Sequence, residues 1–179
     1  MSMYKKEFLV IEAKGGIEEF PIATSICGTG IWGLSNIPEE EFCYSFCVEC
    51  EGNPLPLLVG KDLAGYSPPD LEINYHSGSS EVPANLKGGE HFQIDECFSK
   101  RYCHQTNLYR ISHEGIDKVS IDIVSSTKDK IEVKITGNTR NVAVIGDFSS
   151  GDNDDDPGLA TIWLHTTMTL EDGRGPSFD

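Results

Sequence analysis

Carboxylates concentrated in one short segment are the residues of this chain best suited to chemistry. Aspartates alternate along Asp152-Asn153-Asp154-Asp155-Asp156-Pro157-Gly158, and Asp147 lies shortly before them. Calcium takes about six to eight oxygen ligands, so alternating carboxylates of this kind could fold around one ion. The segment is not an EF-hand loop, because proline stands where that loop needs glycine. Two interpretations stay open: a solvated acidic loop, or a calcium site formed by Asp147, Asp152, Asp154 and Asp156.

Cysteines form a second group of potential ligands: Cys27, Cys43, Cys47, Cys50, Cys97 and Cys103. The spacing Cys43-x-x-x-Cys47-x-x-Cys50 could hold an iron–sulfur cluster if the three thiolates converged. In a strand, however, Cys43 and Cys47 share one face and Cys50 points to the other. A zinc site is an alternative, in which some of these residues combine with Cys97, Cys103 or His104. Free and mostly buried thiols are the expectation, because no export signal is visible.

Gly28-Thr29-Gly30-Ile31-Trp32-Gly33 matches the G-x-G-x-x-G pattern of dinucleotide sites. Such a site needs a helix that opens at the second glycine, yet Pro38 falls where that helix should still be running. We therefore interpret the segment as a glycine-rich turn or bulge between strands. The chain contains no G-x-S-x-G, H-E-x-x-H or G-K-[ST] motif. The sequence predicts neither an enzyme nor a required cofactor.

β-Strands must position these residues, because the dominant period of the chain is an alternation of apolar and polar residues. Segments 119–123 and 131–135 both alternate, which predicts an antiparallel hairpin. Gly137-Asn138 is then predicted to turn the chain into a further strand, Val142–Ile145. Other strands are predicted at Phe8–Ala13, Phe20–Cys27, Phe42–Glu51, Leu71–Tyr75, Asn107–Ser112 and Ala160–Leu170.

Helix signals are few. Pro38 and the three glutamates after it suit a helix start, but an alternating segment follows, so we expect one helical turn at 38–41. Short strands with turns between them indicate a mainly β fold, which is an antiparallel β-sandwich or an open barrel with at most one or two short helices. We expect one β-rich domain over residues 1–170 and a flexible C-terminal tail over 171–179.

The charge of the chain limits its partners. Twenty-nine acidic residues against 14 basic ones give a net charge of −15, and the excess lies toward the two ends. Such a field repels nucleic acid and anionic lipid and attracts cationic proteins. No apolar run approaches the roughly 20 residues that span a bilayer. We therefore expect a cytoplasmic protein that binds neither nucleic acid nor membrane.

The leading functional hypothesis is an acidic binding protein that engages a basic protein partner, as an inhibitor or immunity protein against a nucleic-acid-cleaving toxin would. Carboxylates spaced like phosphates attract the lysines and arginines of such a partner. The predicted contact groups are Glu39, Glu40, Glu41, Asp152, Asp154, Asp155 and Asp156. One alternative is a calcium-dependent β-sandwich that binds carbohydrate or another small ligand, and a second is a zinc-binding protein. An acidic surface that serves solubility alone would have the same charge.

Overall fold

The computed structural model describes residues 4–13, 16–32, 41–51, 68–79, 81, 86–109, 113–140 and 159–172. In these ranges the chain forms twelve β-strands and no helix. They are β1 (Phe8–Ala13), β2 (Gly16–Trp32), β3 (Glu41–Cys50), β4 (Asp70–His76), β5 (His91–Ile94), β6 (Phe98–Ser99), β7 (Cys103–His104), β8 (Thr106–Tyr109), β9 (His113–Glu114), β10 (Ile116–Ser126), β11 (Lys130–Arg140) and β12 (Leu159–Asp172). A helix long and apolar enough to cross a membrane is not found among the described residues.

Ten strands form one sheet in the order β5-β10-β11-β12-β1-β2-β3-β4-β8-β9, while β6 and β7 form a separate pair. Neighbours in this order are antiparallel, and β12 makes one additional parallel pairing with β2. Strands β5 and β9 lie at opposite ends of the order and are not paired, so the sheet is not closed into a barrel. The prediction of a mainly β, antiparallel fold is confirmed.

β1 lies between β12 and β2 and is shorter than either of them. Beyond Phe8, the first residue of β1, residues 169–172 of β12 pair directly with residues 26–29 of β2. Glu7 occupies this fork with a φ of 59°. Its backbone N–H donates to the His165 carbonyl at 2.6 Å, and its carboxylate accepts a hydrogen bond from the buried Thr166 hydroxyl at 2.7 Å. The residue that precedes β1 therefore also satisfies a polar group in the interior.

The core consists of the apolar side chains that alternate along the strands. The inward residues of the predicted hairpin are each at most 2% exposed: Val119, Ile121, Ile123, Ile131, Val133 and Ile135. The sheet curves enough for Phe92 of β5 to pack against Tyr44 of β3 and Tyr75 of β4, with ring centroids 5.6 and 4.7 Å apart. Burying each such side chain contributes about 1.5–3 kcal/mol. The core therefore determines which side of each strand faces outward.

Gly137 has a packing role. The prediction of a turn at residues 137–138 is wrong, because β11 continues through both. Opposite Gly137, β10 contains a bulge in which Lys118 has a φ of 52°. Ile116 and Val119 both face Gly137, where an added Cβ would lie 2.6 Å from Ile116 Cγ2. The close approach of two buried side chains therefore requires glycine here.

Some predicted turns and segment ends differ from the structure, and others lie outside its described part. The turn or bulge predicted at Gly28–Gly33 is wrong at Gly28 and Gly30, which lie inside the regular pairing of β2 with β3. Glu41 begins β3 instead of ending a helical turn, while residues 38–40 lie outside the described part. The strand predicted at 142–145 also lies outside it. β12 continues through Glu171 and Asp172, which pair with β2, and residues 173–179 are not described.

A charged cluster on the outer side of β11 and β12 links the segment before β1 to the sheet. The Glu132 carboxylate lies 2.8 Å from His165 Nε2, 3.4 Å from Lys6 Nζ and 3.2 Å from Ser125 Oγ. The hydrogen bond with His165 lowers the pKa of Glu132 below its ordinary value, against the opposing effect of partial burial. This carboxylate is therefore more stable in its charged form when the chain is folded.

Gly137→Ala is expected to lower the free energy of unfolding by about 1–3 kcal/mol, because the methyl group would overlap Ile116 in a packed core. Urea unfolding measures the change. The matched control is a double-mutant cycle with Ile116→Ala, which removes the atom that the new methyl group meets. The two effects should then be less than additive, and strict additivity would contradict the packing role.

Glu132→Gln is expected to destabilise the fold at neutral pH by less than about 1 kcal/mol, since the group is partly exposed. Because the folded pKa lies below the unfolded one, the charged form stabilises the fold above the ordinary glutamate pKa. That contribution is lost as the pH falls through the folded value. Melting temperatures of variant and wild type should therefore converge as the pH falls below the lowered pKa of Glu132. Glu12→Gln, at an exposed carboxylate, is the control, and a gap that does not change with pH would contradict the assignment.

Candidate functional site

The outward side of β3 and β4 carries most of the polar groups that could act together. In β3 the apolar residues at 42, 44, 46, 48 and 50 are buried in the core, so the alternate residues face the other way. We call this side the polar face, which consists of Glu41, Cys43, Ser45, Cys47 and Glu49 of β3 and Asp70, Glu72, Asn74 and His76 of β4. Its residues are paired across the two strands as Cys43 with His76, Ser45 with Asn74, Cys47 with Glu72, and Glu49 with Asp70.

One end of the polar face is an open groove with three carboxylates. The groove has a volume of about 420 Å³ and is lined by Cys47, Val48, Glu49, Asp70, Leu71, Glu72, Asn107 and Tyr109. We call the part formed by Glu49, Asp70 and Glu72 the acidic groove. Among the residues that the structure describes, none of these three carboxylates forms an ion pair.

The charges of the acidic groove oppose one another. Glu49 and Asp70 are direct cross-strand partners, and like charges in that arrangement are destabilising. Partial burial raises the pKa of Asp70, and the neighbouring Glu49 raises it further. A cation bound between the two carboxylates would remove this cost. The repulsion between Glu49 and Asp70 is therefore a local electrostatic cost in this structure.

Hydrogen bonds beneath the groove hold Glu72 in place. The Ser45 hydroxyl donates to Asn74 Oδ1 at 2.6 Å, and Asn74 Nδ2 donates to Glu72 Oε1 at 2.8 Å. Ser45 and Asn74 are only 5% and 7% exposed. A buried network of this kind restricts side-chain rotation, so Glu72 is oriented before any ligand arrives.

The other end of the polar face is closed by residues of the β6–β7 hairpin. Glu41 is 2% exposed and forms an ion pair with Arg101. The Tyr102 hydroxyl donates to Glu41 Oε2 at 2.6 Å, and the Tyr102 ring stacks on His76 with centroids 4.1 Å apart. Of the predicted contact groups, Glu41 is thus already paired within its own chain in this structure. Its role in binding a partner stays a prediction.

Cys27, Cys43, Cys47 and Cys50 are thiols whose pKa is raised by burial, so that the reactive thiolate is disfavoured. Burial raises the pKa of Cys43 and of Cys50 to about 12, and it raises the pKa of Cys27 and Cys47 as well. Cys43 and Cys47 share the polar face and Cys50 lies in the core, as predicted. Burial also lowers the pKa of His76, so the Cys43–His76 pair does not favour a thiolate with an imidazolium. The two thiols of the polar face are therefore not activated as nucleophiles.

No group of three or more His, Cys, Asp or Glu side chains that could hold a metal ion occurs within the described residues. All six cysteines are free. The predicted calcium ligands and the remaining predicted contact groups lie outside the described part of the chain: Glu39, Glu40, Asp147, Asp152, Asp154, Asp155 and Asp156. The calcium alternative accordingly stays a prediction, and the zinc alternative also stays a prediction.

The acidic groove was not predicted from the sequence. Asp70 and Glu72 alternate with Leu71 and Ile73, a signal that places both carboxylates on the outward face of one strand. Glu49 likewise lies between two buried apolar residues of β3, Val48 and Cys50. The sequence does not show which strands are neighbours in the sheet. Alternation shows which way each side chain points, but it does not show that β3 and β4 pair with Glu49 opposite Asp70.

Comparisons with protein-family models, with curated proteins and with solved structures found no match to this chain. The polar face therefore has to be interpreted from its own residues, their burial and their charges.

Proposed function

We propose that this protein binds a basic protein partner through the acidic groove, and that it acts on that partner as an inhibitor or immunity protein does. The observation that carries the proposal is the pairing of Glu49 with Asp70 beside Glu72, in an open groove where no described cation neutralises them. Structures retain such local repulsion mostly where function needs it.

Long-range charge supports the same conclusion. A net charge of −15 on 179 residues produces a negative field that speeds the approach of a cationic molecule. This long-range field alone does little to orient the partner. The acidic groove adds a defined contact, because its carboxylates lie on paired strands, and charge complementarity of this kind selects partners and fixes their register.

The composition of the groove favours lysine and arginine side chains as its ligands. Its volume of about 420 Å³ lies within the range of small-molecule sites, but such sites are usually enclosed and mainly apolar, and this one is open and acidic. Tyr109 stands beside Asp70 in the register of β4 with β8 and is 38% exposed. An aromatic ring next to carboxylates suits a guanidinium or ammonium group through cation–π attraction.

Neutralising the groove is expected to weaken binding at least about tenfold, since close charge pairs across interfaces are coupled strongly. The test titrates an arginine-rich peptide into wild type and into Glu49→Gln/Asp70→Asn by calorimetry. The matched control is Glu96→Gln/Asp129→Asn, which removes two exposed carboxylates elsewhere and has the same net charge. Equal weakening in both variants, or no binding by wild type, would contradict a role for the groove.

Peptide binding is also expected to weaken as the pH falls through the titration of Asp70. A bound cation favours the charged carboxylate, so binding requires that Asp70 be ionised, and its raised pKa places this loss above the ordinary aspartate value. Calorimetry from neutral pH down to about pH 4 at constant ionic strength measures it. In Asp70→Asn the pH dependence should be smaller, and an unchanged profile in that variant would show that other groups are responsible.

A further inference from the structure

The β6–β7 hairpin is a separate unit laid against the polar face. Phe98 pairs with His104 and Ser99 with Cys103, and neither strand belongs to the ten-stranded sheet. At its base, Gln105 N–H donates to the Cys97 carbonyl at 2.8 Å, and the Gln105 carbonyl accepts from Asn74 N–H at 2.7 Å. The first bond closes the base of the hairpin, and the second fixes that base to β4.

Side chains attach the tip of the hairpin. Arg101 forms the ion pair with Glu41, and the Tyr102 hydroxyl donates to the same carboxylate at 2.6 Å. Hydrogen bonds between charged groups are stronger than neutral ones, and a carboxylate 2% exposed depends on both partners. We call this arrangement of Glu41, Arg101 and Tyr102 the latch.

Cys43 lies next to the residues that contact the tip of the hairpin. The Tyr102 ring is stacked on His76 with an interplanar angle of 2°, and His76 is the direct cross-strand partner of Cys43. Cys43 is 3% exposed although it points away from the core. By contrast, Cys47, which lies four residues after Cys43 on the same face of β3, is partly exposed. Two neighbours of Cys43 on this face, Glu41 along the strand and His76 across from it, both contact Tyr102 of the hairpin.

We propose that the β6–β7 hairpin is a hinged lid over the Cys43–His76 pair, and that the latch holds it closed. Opening moves the tip about the fixed base at Gln105. It uncovers the Cys43 thiol and the Glu41 carboxylate together, and the row of carboxylates on the polar face then extends from Glu49 to Glu41. The lid does not depend on the proposed partner, and its test needs none.

The first experiment measures modification of each cysteine by iodoacetamide, with peptide mass spectrometry as the readout. Arg101→Gln and Tyr102→Phe each remove one latch contact. Labelling of Cys43 should be about tenfold faster in either variant, which corresponds to about 1.4 kcal/mol in the opening equilibrium. Lys100→Gln, the neighbouring exposed cation, is the matched control and should leave the rate unchanged. Cys27 and Cys50 in the core are internal controls, and their rates should stay low.

The lid is overturned if Cys43 is labelled no faster in folded latch variants, or if Cys27 and Cys50 accelerate equally, since opening would then be global. A second measurement uses the wild-type protein, so it gives a result even if a latch variant fails to fold. At urea concentrations below the unfolding transition, labelling of Cys43 through a local opening should change little, whereas labelling of Cys27 should rise steeply. The same steep dependence for both cysteines would also overturn the proposal.

Discussion

Side chains alternate strictly across a β-strand, and this constraint determines the chemistry of β3. Burying Phe42, Phe46 and Val48 in the core leaves Glu41 and Glu49 on the opposite side. Pairing with β4 in one register then sets Glu49 against Asp70. A shift of one residue would bring the polar groups into the core, so the hydrophobic effect itself maintains the repulsion between the carboxylates.

The carboxylates at the two ends of the polar face have opposite electrostatic environments. At one end the chain supplies its own cation, and Glu41 is neutralised by Arg101 under the hairpin. At the other end Glu49, Asp70 and Glu72 have no described cation, and burial with like charge raises the pKa of Asp70. The contact of Arg101 with Glu41 shows that this face accommodates a guanidinium. This internal contact supports the proposal that an arginine or lysine binds at the open end.

Much of the strand content could be predicted from sequence because burial of one strand face leaves a period of two. β1 was predicted at its observed bounds, and the hairpin of β10 and β11 was predicted by its alternating isoleucines and valines. Gly137 was misinterpreted because a glycine in a turn and a glycine under a packed bulge look alike in sequence. Burial of Glu41 was missed for a related reason, since its partners Arg101 and Tyr102 are distant in sequence. Contacts of that kind follow from topology, which alternation does not encode.

Nuclear magnetic resonance can test whether a cationic partner docks in the acidic groove. An arginine-rich peptide is titrated into isotopically labelled protein, and the backbone amide shifts are followed residue by residue. Docking in the groove predicts that the largest changes cluster in the three segments that line it, at residues 47–49, at residues 70–72, and at residues 107 and 109. Changes spread evenly over the acidic surface, or centred away from these three segments, would contradict it.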